Sequence, residues 1–105
     1  MGLISKKKEI KANVLFISGI KIDIEMMMAN SNDLVKEALK KLRDIVAYSD
    51  PMSNKMVEVE EQLIMDGVVE LKRLHMENNV TAVLNQCKRL EDLFVVRNKK
   101  IIATK

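Results

Sequence analysis

The sequence predicts a mainly α domain of the α+β class, with an N-terminal β-hairpin followed by three amphipathic helices, the second the longest. Three observations lead to this. Apolar residues between positions 10 and 26 recur with a period of two on either side of Ser18-Gly19. From about position 32 they recur at helical spacing instead. The helical pattern is interrupted at Ser49-Asp50-Pro51 and again at Asn78-Asn79, residue types that cap and terminate helices.

A chain of 105 residues is long enough for one core without metal or disulfide support, and no low-complexity stretch or internal repeat divides it. Residues 1–9 read as a basic, flexible N-terminus and 10–105 as a single small domain. Within that domain the hairpin occupies 10–26. On its first strand Ile10, Ala12, Val14 and Phe16 alternate with Lys11, Asn13 and Leu15. On the second, Ile20, Ile22, Ile24 and Met26 alternate with Lys21, Asp23 and Glu25. A two-residue turn containing Gly joins them, the usual hairpin connection.

The first helix is expected over about 32–49. Ser31-Asn32-Asp33 supplies a cap and a first-turn carboxylate, and Leu34, Val35, Ala38, Leu39, Leu42, Ile45 and Val46 form its stripe. The second runs over 51–77, with Pro51 in the first turn, where its missing donor does no harm. Its main face is read as Met52, Met56, Val59, Leu63, Leu71 and Leu74, widened by Val57, Ile64 and Val68. Gly67 lies near the middle of that face, where a close backbone approach explains it better than a kink. Asn78-Asn79 breaks the pattern, and the third helix, over 79–103, carries Val80, Val83, Leu84, Cys87, Leu90, Phe94 and Val95. A competing arrangement ends that helix near Asp92 and folds 94–103 into a C-terminal hairpin, which makes the protein a winged helix-turn-helix.

Composition excludes several function classes. Eight Met stand against two Phe, one Tyr and no Trp. Such a chain has few rigid aromatic plates with which to line a ligand pocket or stack on single-stranded nucleic acid. One Cys rules out an internal disulfide, and one His leaves little for a metal site or catalytic dyad. His75 and Cys87 sit on different helices at different distances from the Asn78-Asn79 turn, and no HExxH, CxxC or clustered Gly is present. The sequence therefore indicates a non-enzymatic protein with no catalytic residues, cofactor, metal or small-molecule substrate. The apolar run Val14–Ile17 is too short for a signal peptide or a membrane span, and a cytoplasmic location follows.

Two surfaces remain. Met65, Val69 and Met76 project from the second helix opposite its main stripe and form a second, minor apolar row. With the free edges of the hairpin, they point to a protein–protein interaction or assembly domain, a homodimer or the acceptor of a helical partner. Both chain ends are basic while the long middle helix is acidic. Lys6, Lys7, Lys8, Lys88, Arg89, Arg97, Lys99 and Lys100 would form a phosphate-binding surface in the winged alternative, a DNA-binding regulator. Charge pairing among neighbouring helices accounts for the same asymmetry.

Overall fold

The computed structural model describes residues 16–104, and the described residues fold as four helices and one 3-10 turn, without a strand. Helix α1 covers 16–28 of the described chain, α2 spans Asp33–Ala47, α3 spans Glu58–Met76 and α4 spans Val80–Ala103. A 3-10 turn, Lys55–Val57, leads into α3.

The first correction concerns the hairpin. Ser18 and Gly19 lie inside α1, and residues 16–26 are helical; residues 10–15 lie outside the described part. The physical reason lies in the spacing of the apolar residues. Ile17, Ile20, Ile24 and Met27 are separated by three, four and three positions, and all four are buried. The period-two pattern used Ile20 and Ile24 but added Ile22 and Met26, which are exposed. The winged alternative is also overturned, because α4 continues unbroken through 94–103. At 24 residues α4, not the 19-residue α3, is the longest helix among the described residues.

Helix ends follow the capping chemistry. Asn32 Oδ1 accepts the Val35 backbone N–H at 2.9 Å to start α2. Asn79 Oδ1 accepts the Ala82 N–H at 3.2 Å to start α4, and Asn78 takes the left-handed conformation, φ 57°, that closes α3. The second helix begins later than the sequence implied. Asp50 Oδ1 and Asn54 Oδ1 accept the backbone N–H groups of Met52 and Met56, which turns 50–56 into a connection capped twice over.

Side-chain bridges fix the packing order. Lys41–Glu91 and Ser49–Asn98 set α2 parallel to α4, whereas Lys100–Glu60 and Gln86 to the Gly67 carbonyl set α3 antiparallel to it. Lys72–Asp23 and His75–Ser31 hold α1 alongside α3. Helix α4 packs on both α2 and α3, while α2 and α3 lie across the bundle from each other. The connection after α2 therefore crosses the end of the bundle. The core between the helices contains Ile24, Leu39, Leu42, Val46, Ile64, Leu71, Leu90 and Phe94, all without solvent exposure. At roughly 1.5–3 kcal/mol for each such side chain, this burial is the main driving force for the fold.

Gly67 meets the close approach expected of it. A Cβ there would fall 2.7 Å from Leu90 Cδ2 and 3.2 Å from Gln86 Nε2, so α3 and α4 touch across a bare backbone. No helix is long and apolar enough to cross a membrane among the described residues.

Candidate functional site

Arg97 is the most unusual side chain in the interior. It is 0% exposed, and its guanidinium uses its donors on four partners. Nε and Nη2 donate to Glu61 Oε2 at 3.1 and 3.0 Å, and Nη2 donates to the Met52 carbonyl at 2.7 Å. Nη1 donates to the Asp50 carbonyl and to Asn98 Oδ1. Ser53 Oγ donates to the other Glu61 oxygen at 2.6 Å, and Asn98 Nδ2 donates to Ser49 Oγ at 2.9 Å. The result is a clasp: α4 reaches over and fixes the 48–57 crossing to the first turn of α3. Every buried side-chain polar atom among the described residues has a partner.

This placement removes Arg97 from the nucleic-acid surface read from the sequence. Lys100 is bridged to Glu60 at 2.9 Å and Lys88 to Asp92 at 3.5 Å, which leaves Arg89 and Lys99 exposed on α4 ten residues apart. Lys6, Lys7 and Lys8 lie outside the described residues. The described part of the basic set is thus divided between the interior, two ion pairs and two separate surface positions.

His75 pairs with Ser31, 44 positions away, rather than approaching Cys87, and no local pattern signals that pairing. The Ser31 hydroxyl lies 2.8 Å from His75 Nε2 and donates to the Met27 carbonyl at 2.6 Å. A hydroxyl has one hydrogen, and a carbonyl can only accept it. His75 Nε2 must therefore carry a hydrogen and donate to Ser31. In this arrangement the imidazole cannot take a proton from Ser31, and no carboxylate orients the ring among the described residues. The pair ties the α1–α2 turn to the end of α3. Cys87 is buried, and desolvation, helped by the Glu91 charge, pushes its thiol up to about 12, the opposite of an activated nucleophile. Among the described residues no three His, Cys, Asp or Glu side chains converge on a metal-sized site.

What remains accessible is apolar. Met65, Val69 and Met76 are 50%, 67% and 82% exposed, all on the outward side of α3. On neighbouring α1, Ile22 and Met26 are also exposed, and Gly19 has open space around it. Gly19, Ile22, Asp23 and Met26 are spaced as one face of a helix, so α1 is apolar on its buried side and partly apolar on its outer side too. Between the two helices an open cleft of about 300 Å³ is lined by Asp23, Met26, Met27, Asn30, Lys72, His75 and Met76. Arg73 borders this surface and grips Glu70 and Glu77, the first of which it holds below the usual carboxylate range by hydrogen bonding.

The sequence missed a second exposed strip. Met52, Met56, Val59 and Leu63, read as the inward face of the helix, are all exposed, while Val57, Ile64 and Val68 form the core side. With the Lys100–Glu60 bridge fixing register, helical phase puts Val59 and Leu63 beside Val96 and half-buried Leu93 on the outer groove between α3 and α4. The signal that identifies the true face is charged: Glu60 and Glu61 bond to Lys100 and Arg97 of α4, so Val57 and Ile64, three or four positions away, share their side, and Val59 and Leu63 fall outside it.

No protein-family model, curated protein or solved structure matches this chain.

Proposed function

We propose that this protein is a non-enzymatic interaction and assembly module that self-associates through the outward face of α3 and the adjoining side of α1. The observation that carries the reading is the row Met65, Val69 and Met76, exposed in line on α3 and continued by Met26 across the cleft on α1. Isolated exposed apolar residues are ordinary, but an aligned row on two neighbouring helices marks a contact surface. Methionine suits such a surface because its unbranched thioether repacks against different shapes. A stable interface buries roughly 800 Å² per partner, more than three side chains on one helix provide, so α1 has to contribute.

The polar clusters support the same reading. Arg97 is committed to the crossing connection, His75 to the Ser31 hydroxyl and Cys87 to the core, so the groups best suited to chemistry are engaged in holding the bundle together. Sedimentation of the intact chain from micromolar to hundreds of micromolar tests the reading. The wild type is expected to associate, and M65E/M76E is expected to remain a monomer with unchanged helical circular dichroism. A wild type that stays monomeric throughout refutes self-association, and a double variant that still associates refutes this surface.

A further inference from the structure

We propose that the cleft between α1 and α3 binds a soft monovalent metal ion, Cu(I), through the thioether sulfurs of Met26, Met27 and Met76 and Nδ1 of His75. All four donors belong to one chain, so the site stands whether or not copies associate. Two neighbouring pairs, Met26–Met27 on α1 and His75–Met76 on α3, line the same cleft of about 300 Å³. Met26 and Met76 stand at its rim, 65% and 82% exposed, and Met27 is buried in its inner wall. Each thioether ends an unbranched chain with three rotatable bonds, so the sulfurs can close on an ion without moving either helix.

The imidazole is held as a ligand would be. Nε2 carries the hydrogen and donates to Ser31 Oγ, which donates in turn to the carbonyl of Met27. Nδ1 is therefore the lone-pair nitrogen of neutral His75. It has no hydrogen-bond partner among the described residues, where every buried side-chain polar atom has one, so it is open to solvent. A metal-binding His is fixed in the same manner, its second nitrogen donating to an acceptor behind it.

The donor set selects the ion. Thioethers favour Cu(I) over hard cations, which need oxygen, and over Zn(II), whose sites are built on thiolate, imidazole and carboxylate. Asp23 is the one carboxylate lining the cleft among the described residues, and Lys72 holds it at 2.8 Å, which also offsets the ammonium charge there. With no anionic ligand free, a singly charged ion gives up less hydration on entry than a divalent one. Cys87, the thiol that would compete for the ion, is buried and held protonated, its titration pushed up to about 12.

Ag(I), of the same charge and softness but not oxidised in air, is the probe. It is added to the Cys87→Val chain at concentrations low enough to keep it monomeric, and the methionine ε-methyl and imidazole nitrogen NMR signals read the ligands. One Ag(I) per chain is expected, shifting the methyls of Met26, Met27 and Met76 and Nδ1 of His75 while Nε2 keeps its hydrogen. Cu(I) in competition with a colorimetric chelator should give the same stoichiometry. M26L/M76L should weaken both by about tenfold or more with unchanged helical circular dichroism. Ser31→Ala removes only the support behind the imidazole and should weaken binding by about tenfold. Equal shifts at exposed Met52, Met56 and Met65 mean thioethers acting singly and overturn the site. A silent Nδ1, an unchanged affinity in M26L/M76L or no binding at all overturns it too. Each of these leaves the assembly role standing, since sedimentation without metal reads that.

Discussion

Replacing Arg97 by Met removes the clasp and leaves a side chain of similar length behind. Four acceptors lose a partner: the Glu61 carboxylate, the carbonyls of Asp50 and Met52, and Asn98 Oδ1. Breaking a buried ion pair by deleting one member costs about 3–5 kcal/mol, because the surviving charge stays behind without compensation. Glu61 keeps the Ser53 hydroxyl and has 18% of its side chain in water, which places the loss near the lower end, about 3 kcal/mol. With a urea slope of about 1.5 kcal/mol/M for a chain of this size, the unfolding midpoint falls by about 2 M. Arg97→Lys is expected to lose most of the same amount, since a single ammonium cannot hold Glu61 and two carbonyls in one plane. R97M/E61L recovers part of the loss by taking the stranded charge away, and the double-mutant cycle reports a coupling of about 1–3 kcal/mol. A loss below about 1 kcal/mol for Arg97→Met refutes the reasoning: the crossing connection would then be held by its apolar contacts and Asx turns alone.

The remaining expectations concern the bundle itself. Gly67→Ala gains about 1 kcal/mol of helix propensity but drives a methyl into Leu90, which is fully buried; a net loss of about 1 kcal/mol is expected in urea unfolding, and Leu90→Val should relieve it. Asn78→Ala keeps a Cβ in the left-handed region but loses the short polar side chain that offsets its cost, about 1 kcal/mol, whereas Asn78→Gly, with no Cβ, is expected to be close to neutral or stabilising in the same assay. Native Cys87 should resist iodoacetamide at pH 8 and react fully in urea. Because its folded thiol titrates at about 12, above the unfolded value of about 8.5, its contribution is complete below that lower value and is lost as pH rises from one to the other. The wild type minus Cys87→Val difference in urea midpoint between pH 8 and 10 checks the sign.

Helix ends were the most legible feature of the sequence, because a cap is a local device: Asn32, Asn78 and Asn79 act where they stand. The direction in which a helix faces is not local. In α1 the same isoleucines satisfy a period of two and a spacing of three and four, and only the burial of Ile17 and Met27 in the core selects the second. In α3 the error in phase came from starting the helix at Pro51. With residues 50–56 turned aside by the Asp50 and Asn54 side chains, Met52 and Met56 have no bearing on the face that starts at Val57. The outward row of Met65, Val69 and Met76 was legible because its spacing of four and seven positions lies wholly within α3 and does not depend on where the helix starts.

Arg97 shows what apolar periodicity leaves out. It sits in phase with Leu90, Phe94 and Ile101, the stripe that α4 buries, and Glu60 sits in phase with Ile64, Val68 and Leu71 on α3. A charge inside an apolar stripe is either misplaced or paired, and the pair needs a partner of opposite sign in the facing stripe. Glu60 and Glu61 on one helix and Arg97 and Lys100 on the other meet that condition, and their bonds fix the register between α3 and α4. This also explains why a chain with both ends basic and its middle acidic does not need nucleic acid to balance it. Much of the opposite charge is used between α3 and α4, on the side of α3 away from Met65, Val69 and Met76. The charges beside the outer row are paired within the chain as well: Arg73 holds Glu70 and Glu77, and Lys72 holds Asp23 of α1, so the apolar side chains there are bordered by locally balanced charge.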